Sequence, residues 1–189
     1  MVRLGIRELD RLINKYRSIE LESDWMNHVN ELVKIIRNAS YEGLVHIVFY
    51  SSSKYCDIHK LYLEIEPYLE SLDNVSIFWE SNIEAFIYHV LMLDRVKNGY
   101  LFLMLPYDRT HLSQIENTYL YKLVYTIEQA HRRGWNIIII NPIKTWGRRN
   151  SIYVADITVQ INYYEKEALV KIINVKRKLK EAVVSYSFK

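Results

Sequence analysis

Two stretches of this chain combine residue types suited to gripping a polyanion. Lys144-Thr145-Trp146-Gly147-Arg148-Arg149-Asn150 sets two guanidinium groups and an ammonium around an indole and a glycine. The cations would neutralise phosphates, Trp146 would offer a face on which a base can stack, and Gly147 would let the loop adapt. An exposed basic loop with Trp146 folded back on the core has the same composition. Lys176-Arg177-Lys178-Leu179-Lys180 could extend such a track, each neutralised phosphate steepening the salt dependence of binding. A solvated terminal charge run accounts for it equally well.

Other chemistries find less support. Cys56 and His59 are spaced like two metal ligands on a helix, but two ligands are not a site and no partner pair exists. His28, His46, His89 and His131 are scattered along the chain, so no metal centre is expected. Ser51-Ser52-Ser53 lacks the Gly-x-Ser-x-Gly elbow of a hydrolase and reads as a strand end that caps the next helix. No cofactor and no catalytic residue is expected.

Composition narrows the class further. The 189 residues suffice for one well-buried domain, half of them are apolar, and three Pro and five Gly leave most of the chain to regular elements. The lone Cys56 rules out an internal disulfide and fits a reducing, cytoplasmic setting. No apolar run approaches the length of a membrane span, and the first residues lack a signal-peptide core, so no membrane partner is expected. The net charge of +3 is unevenly spread: residues 1–130 carry 13 Lys/Arg against 18 Asp/Glu, or −5, and residues 131–189 carry 12 against 4, or +8. Such asymmetry suggests one basic face turned to a polyanion; a Lys-rich solvated surface is the alternative.

The elements that must position these residues follow from periodicity. Helical spacing of Ile6, Leu9, Leu12 and Ile13 predicts a helix over 5–15, and alternation predicts a strand over 18–23. Ser23 or Asp24 would cap a helix whose stripe is Trp25, Val29, Leu32, Val33 and Ile36. Leu44–Tyr50 reads as a strand buried on both faces, followed by a helix over 55–72, a strand Val75–Trp79 and a helix Ile83–Val96. Tyr100–Leu105 is a buried strand, 112–133 a helix closed by Gly134, and Asn136–Ile140 a central strand. Strict alternation over 155–163, answered by Leu169–Val175, predicts a terminal hairpin. A single α/β domain results, mostly parallel with an antiparallel closing hairpin over 152–176 and a basic tail over 177–189. Tyr119, Tyr121 and Tyr125 on the long helix, and Tyr153, Tyr163 and Tyr164 near the last strands, suit either core packing or a protein interface.

This order of elements resembles the core of RecA/RadA recombinases and their KaiC-like relatives. Gly5-Ile6-Arg7-Glu8-Leu9-Asp10-Arg11-Leu12-Ile13 is similar to the family's entry helix, here within residues 1–17. The run from Ala130 to Asn141 resembles the helix, Gly and strand that end in its "T-N-Q" element. Ala155–Ile161 with Val170–Lys176 resembles its closing hairpin. The likeness covers nearly the whole chain in order. It implies that Lys144, Trp146, Arg148 and Arg149 lie where the family carries a mobile DNA-contacting loop. It also places Arg109 and His111, within Tyr107-Asp108-Arg109-Thr110-His111, in the position of the other DNA loop, where Asp108 alternatively serves as a helix cap.

The departures from the family share one direction. Residues 18–38, where a phosphate-binding loop belongs, contain no Gly, and their one Lys, Lys34, falls within a helical pattern. Ser51–Ser53 stand where the family orients its attacking water with Glu. Leu105 and Pro106 stand where it holds an Mg²⁺-associated Asp, and Asp108 comes two residues late. Asn141 is followed by Pro142 instead of Gln. The resemblance thus implies a degenerate, non-catalytic recombinase paralogue lacking the Walker A motif. Such a protein would be an accessory in DNA recombination or repair, binding DNA with low sequence specificity and a recombinase, a paralogue or its own copies. The alternatives are an interaction scaffold or regulator of the KaiC-like branch without nucleic-acid binding, and an enzyme with a nonstandard phosphate site.

Overall fold

Buried apolar runs become parallel strands, and the amphipathic stretches between them become helices laid on either face of one sheet. The computed structural model describes residues 7–50, 56–69, 71–105, 117–141, 155–164, 167–175 and 183–187. Along them run α1 (Arg7–Ile13), β1 (Ser18–Glu22), α2 (Val29–Glu42), β2 (Leu44–Tyr50), α3 (Cys56–Leu69), β3 (Val75–Glu80) and α4 (Ile83–Met92). Then come β4 (Gly99–Met104), α5 (Asn117–Arg132), β5 (Trp135–Asn141), β6 (Ile157–Tyr164), β7 (Glu167–Val175) and β8 (Val183–Ser187).

The strands form one eight-stranded sheet in the order β3-β2-β4-β5-β1-β6-β7-β8. Neighbours from β3 through β6 pair in parallel, while β7 and β8 join antiparallel. This is the mostly parallel α/β sheet with a closing hairpin that the sequence predicts. One face carries Val45, Ile47, Phe49, Tyr100, Phe102, Ile138, Ile19 and Leu21 under α2 and α3. The other carries Val48, Leu101, Leu103, Ile137 and Ile139 under α4 and α5. β4 is buried along its whole length, as a strand with helices on both faces must be.

Three elements differ from the periodicity reading, each for a local reason. α2 begins at Val29 and not beside Ser23, because the intervening residues form tight turns: the Asn27 N–H donates to Asp24 O at 3.0 Å and the His28 N–H to Trp25 O at 3.2 Å. Ser23 does not cap it, since its hydroxyl donates to Ile161 O at 2.8 Å. α4 stops at Met92, short of Val96; the Arg133 guanidinium donates to the Leu91 and Leu93 carbonyls, and Leu93 itself is extended. The tail read over 177–189 contains an eighth strand, β8, whose residues pair with β7 from Lys171↔Val183 to Glu167↔Ser187.

Gly134 closes α5 as expected. Its φ of +97° is strained for any residue with a side chain, and a Cβ there would collide with the Val96 carbonyl. The Val96 N–H donates to Arg133 O at 2.8 Å, tying the end of α5 to the chain that enters β4.

Candidate functional site

Open α/β sheets bind ligands beyond the carboxyl ends of their strands, where neighbouring connections diverge to opposite faces. Here that point lies between β1 and β5. The chain leaves β1 for α2 on one face and leaves β4, the other neighbour of β5, for α5 on the opposite one. The Ser23 N–H donates to Asn141 O at 3.4 Å, joining the two strand ends, and the Leu105 N–H donates to Ile140 O at 3.1 Å, adding the end of β4.

β1 alternates strictly. Ile19 and Leu21 enter the α2–α3 core, which turns Ser18, Glu20 and Glu22 to the other face, beside Ile139 and Asn141. Two carboxylates are thereby buried on a central strand, Glu20 at 2 % and Glu22 at 3 % exposure. Charges in such a place require hydrogen bonds. Asn141 Nδ2 donates to Glu20 Oε1 at 3.2 Å and Thr158 Oγ1 donates to Glu20 Oε2 at 3.1 Å, so β5 and β6 grip the carboxylate from both sides. Lower on the same seam, the Asp156 N–H donates to Ser18 Oγ at 3.0 Å and the Arg17 N–H to Asp156 Oδ2 at 3.2 Å.

The turn from Ser23 to His28 is filled by its own side chains. Trp25 is fully buried, with its Nε1–H donating to Leu21 O at 3.3 Å and its ring edge-on to Tyr163 at 6.2 Å. The His28 ring lies 4.7 Å from the same tyrosine. Burial, reinforced by the Glu31 carboxylate, pushes the Tyr163 phenol far above its ordinary pKa. Asn27 Nδ2 donates to Asp24 Oδ2 at 2.8 Å. The backbone N–H groups of Ser23, Asn27 and His28 are thus engaged by carbonyls of the protein, whereas a phosphate cradle turns such groups inward toward the ligand.

The nine basic and aromatic residues expected to contact DNA, namely Lys144, Trp146, Arg148, Arg149, Arg109, His111, Lys176, Arg177 and Lys178, lie outside the described residues. So do Ser51–Ser53. The described strand ends locate where their segments attach. Residues 106–116 and 142–154 leave side by side from β4 and β5, at the hydrogen-bonded pair Leu105 and Ile140. Residues 176–182 leave from Val175, which is paired with Ile157 at the opposite end of the sheet, where 142–154 re-enters.

Among the described residues, no three His, Cys, Asp or Glu side chains converge as metal ligands. His59 is exposed and its ring packs against Tyr62 and Trp79. Tyr121 and Tyr125 stand exposed on α5, whereas the Tyr119 hydroxyl donates to Glu84 Oε1 at 2.7 Å. What the spacing of residues missed is a pair of histidines. His46 and His89, separated by 43 positions, meet beneath α4, with Glu80 behind them. Their only sequence trace is a histidine in the otherwise apolar run of β2 and another on the inner side of α4.

A scan of the sequence against known protein families finds none that matches, and a search of characterised proteins finds no relative. Solved structures do match. One, the ATPase domain of a replicative helicase, aligns with 99 % of this chain and 87 % of its own, at a TM-score of 0.56 and 13 % identity. The fold is RecA-like. At that identity the likeness concerns backbone architecture alone. No helix among the described residues is long and apolar enough to cross a membrane.

Proposed function

We propose that this chain is a non-catalytic RecA-like accessory protein of DNA recombination or repair. In this reading it binds DNA through Lys144, Trp146, Arg148 and Arg149 and associates with a recombinase or related subunit. The observation that carries the reading is the carboxyl end of β1. Where a nucleotide-binding relative would present free backbone N–H groups to phosphate, this turn is glycine-free and packed around Trp25, with Glu20 and Glu22 buried beside it. The basic segment 142–154 follows β5, whose last residue Asn141 accepts from the Ser23 N–H at this same end.

The test is fluorescence anisotropy of labelled single- and double-stranded oligonucleotides at several salt concentrations. Three phosphate contacts, from Lys144, Arg148 and Arg149, predict that duplex binding weakens about 40-fold from about 50 to about 200 mM salt. Charge reversal at Arg148 and Arg149 is expected to abolish binding while the circular dichroism spectrum is unchanged; unaltered affinity would remove that loop from the proposal. A fluorescent ATP analogue with Mg²⁺ is expected to show no saturable binding, and micromolar affinity would overturn the non-catalytic reading.

A second reading has one observation of its own. α4 and α5 pack together, and Tyr88, Met92, Tyr121 and Tyr125 are exposed on them. Exposed aromatic and Met side chains favour protein association. Absence of DNA binding even at low salt would make a scaffold without nucleic-acid contact the better account.

A further inference from the structure

His46 on β2, His89 on α4 and Glu80 on β3 form a chain of hydrogen bonds across three elements. His46 Nε2 and His89 Nε2 are 2.9 Å apart, and His89 Nδ1 lies 2.8 Å from Glu80 Oε1. The ring centroids are 5.2 Å apart, which places both nitrogens along the line that joins them. The rings therefore meet tip to tip. A metal would need two lone pairs converging on a point off that line, so the geometry suits a proton and not a metal.

One proton fits between the two nitrogens, whichever ring supplies it. Either His46 donates to His89, whose Nδ1–H donates to Glu80, or a doubly protonated His89 donates to both neighbours. Opposite a doubly protonated His89, a proton on His46 Nε2 as well would put two N–H groups against each other and break the bond. The surroundings resist that proton. Phe78 stacks on the His46 ring at 4.4 Å, and Trp135 meets it edge-on at 5.9 Å. On β4 the register partner of His46 is the buried, apolar Leu101. Among the described residues, β2 thus contributes His46, β3 contributes Glu80 and Phe78, α4 contributes His89 and β5 contributes Trp135. Glu80 is the one carboxylate, and it stands on the far side of His89.

We propose that the His46–His89–Glu80 chain is an acid-operated latch, which holds α4 on the β2–β3 edge of the sheet while His46 is neutral and releases it when both rings are charged. Desolvation, then the neighbouring His89, lowers the His46 pKa from 6.5 to about 4. The opened form recovers the ordinary value. Between these limits it binds the proton that the closed form refuses, so opening is favoured as pH falls from 6.5 toward 4 and unaffected above 6.5. Release would free the outer strand β3, which among the described residues pairs only with β2.

Amide hydrogen exchange of the full chain at pH 7 and pH 5, corrected for intrinsic rates, tests the latch. Halving the shift to allow for partial exposure of the ring, opening of α4 and β3 rises about tenfold relative to β5 and β1. His46→Gln, which keeps a hydrogen-bonding tip without a titrating ring, abolishes the differential. Should that variant not fold, ¹⁵N chemical shifts of the wild-type imidazoles decide instead, with His46 expected to remain mostly neutral at pH 6. Uniform exchange across all elements, a differential that survives His46→Gln, or a charged His46 at pH 6 in the closed form would each overturn the proposal.

Discussion

Replacing Trp25 by Ala asks whether the turn after β1 is a packed plug or a closed mouth. The indole is fully buried, belongs to the α2–α3 core, and donates to the Leu21 carbonyl at 3.3 Å. Truncation removes the transfer free energy of the ring and leaves a cavity, which costs about 3–5 kcal/mol for a buried Trp. The lost hydrogen bond is long, and adds at most about 1 kcal/mol. A loss near 4 kcal/mol is a large part of an ordinary stability of about 5–15 kcal/mol, so the variant should fold but melt early. For a chain of this size the shift is roughly 8–16 °C in Tm. Trp25→Phe keeps most of the packing, drops the donor, and should cost about 1–2 kcal/mol. Urea unfolding followed by far-ultraviolet circular dichroism measures both. A loss below about 1 kcal/mol for Trp25→Ala would refute the reasoning, because it would mean that the indole leaves its seat easily and the turn can open around a ligand.

Two further substitutions address the frame that holds this turn. Gly134→Ala should destabilise by at least about 2 kcal/mol, since it adds left-handed strain to a collision with the Val96 carbonyl; equal midpoints for wild type and variant in urea would contradict the close approach. Thr158→Val withdraws one of the donors that hold the buried Glu20 carboxylate and should cost about 1–3 kcal/mol at pH 7. Urea unfolding of both proteins measures it, and equal midpoints would argue that this hydroxyl does not hold Glu20.

The parallel core was legible because its strands announce themselves. Leu44–Tyr50, Tyr100–Leu105 and Asn136–Ile140 are nearly continuous apolar runs, typical of a strand covered on both faces, and all three lie within or nearly match observed strands. β8 was hidden by its setting, because Val183–Ser187 is a short alternating run after a cluster of Lys and Arg that dominates the composition there. The end of α4 was hidden for another reason. Val96 continues the helical spacing, and only the fold brings Arg133 to the carbonyls that end the helix. In the candidate site, the missing glycines were visible in the sequence but the replacement was not. Alternation predicted a strand over 18–23, and the burial of Glu20 and Glu22 became apparent only once β5 and β6 flanked β1 and supplied Asn141 and Thr158. The meeting of His46 and His89 likewise depends on α4 crossing the sheet, which no spacing along the chain encodes.

Sheet order converts the charge asymmetry of the sequence into a spatial one. Residues 56–94, which contain α3, β3 and α4, carry eight Asp and Glu against the single Lys60. They build the β3 edge, while the Lys- and Arg-rich segments after residue 141 attach to β5, β6, β7 and β8. Three steps of about 4.8 Å separate β3 from β5 by roughly 14 Å, somewhat under two Debye lengths at physiological salt, where one is about 8 Å. Salt therefore weakens the effect of the acidic edge on the segment that follows β5. On the proposed DNA-binding reading, a polyanion would be repelled at β3 and drawn toward the segments that follow β5 and β7. A scaffold whose positive residues were dispersed over its surface would lack that polarity. Reversing a charge near β3 should accordingly leave the salt dependence of DNA binding unaltered, whereas reversing Arg148 should reduce its slope by about one phosphate.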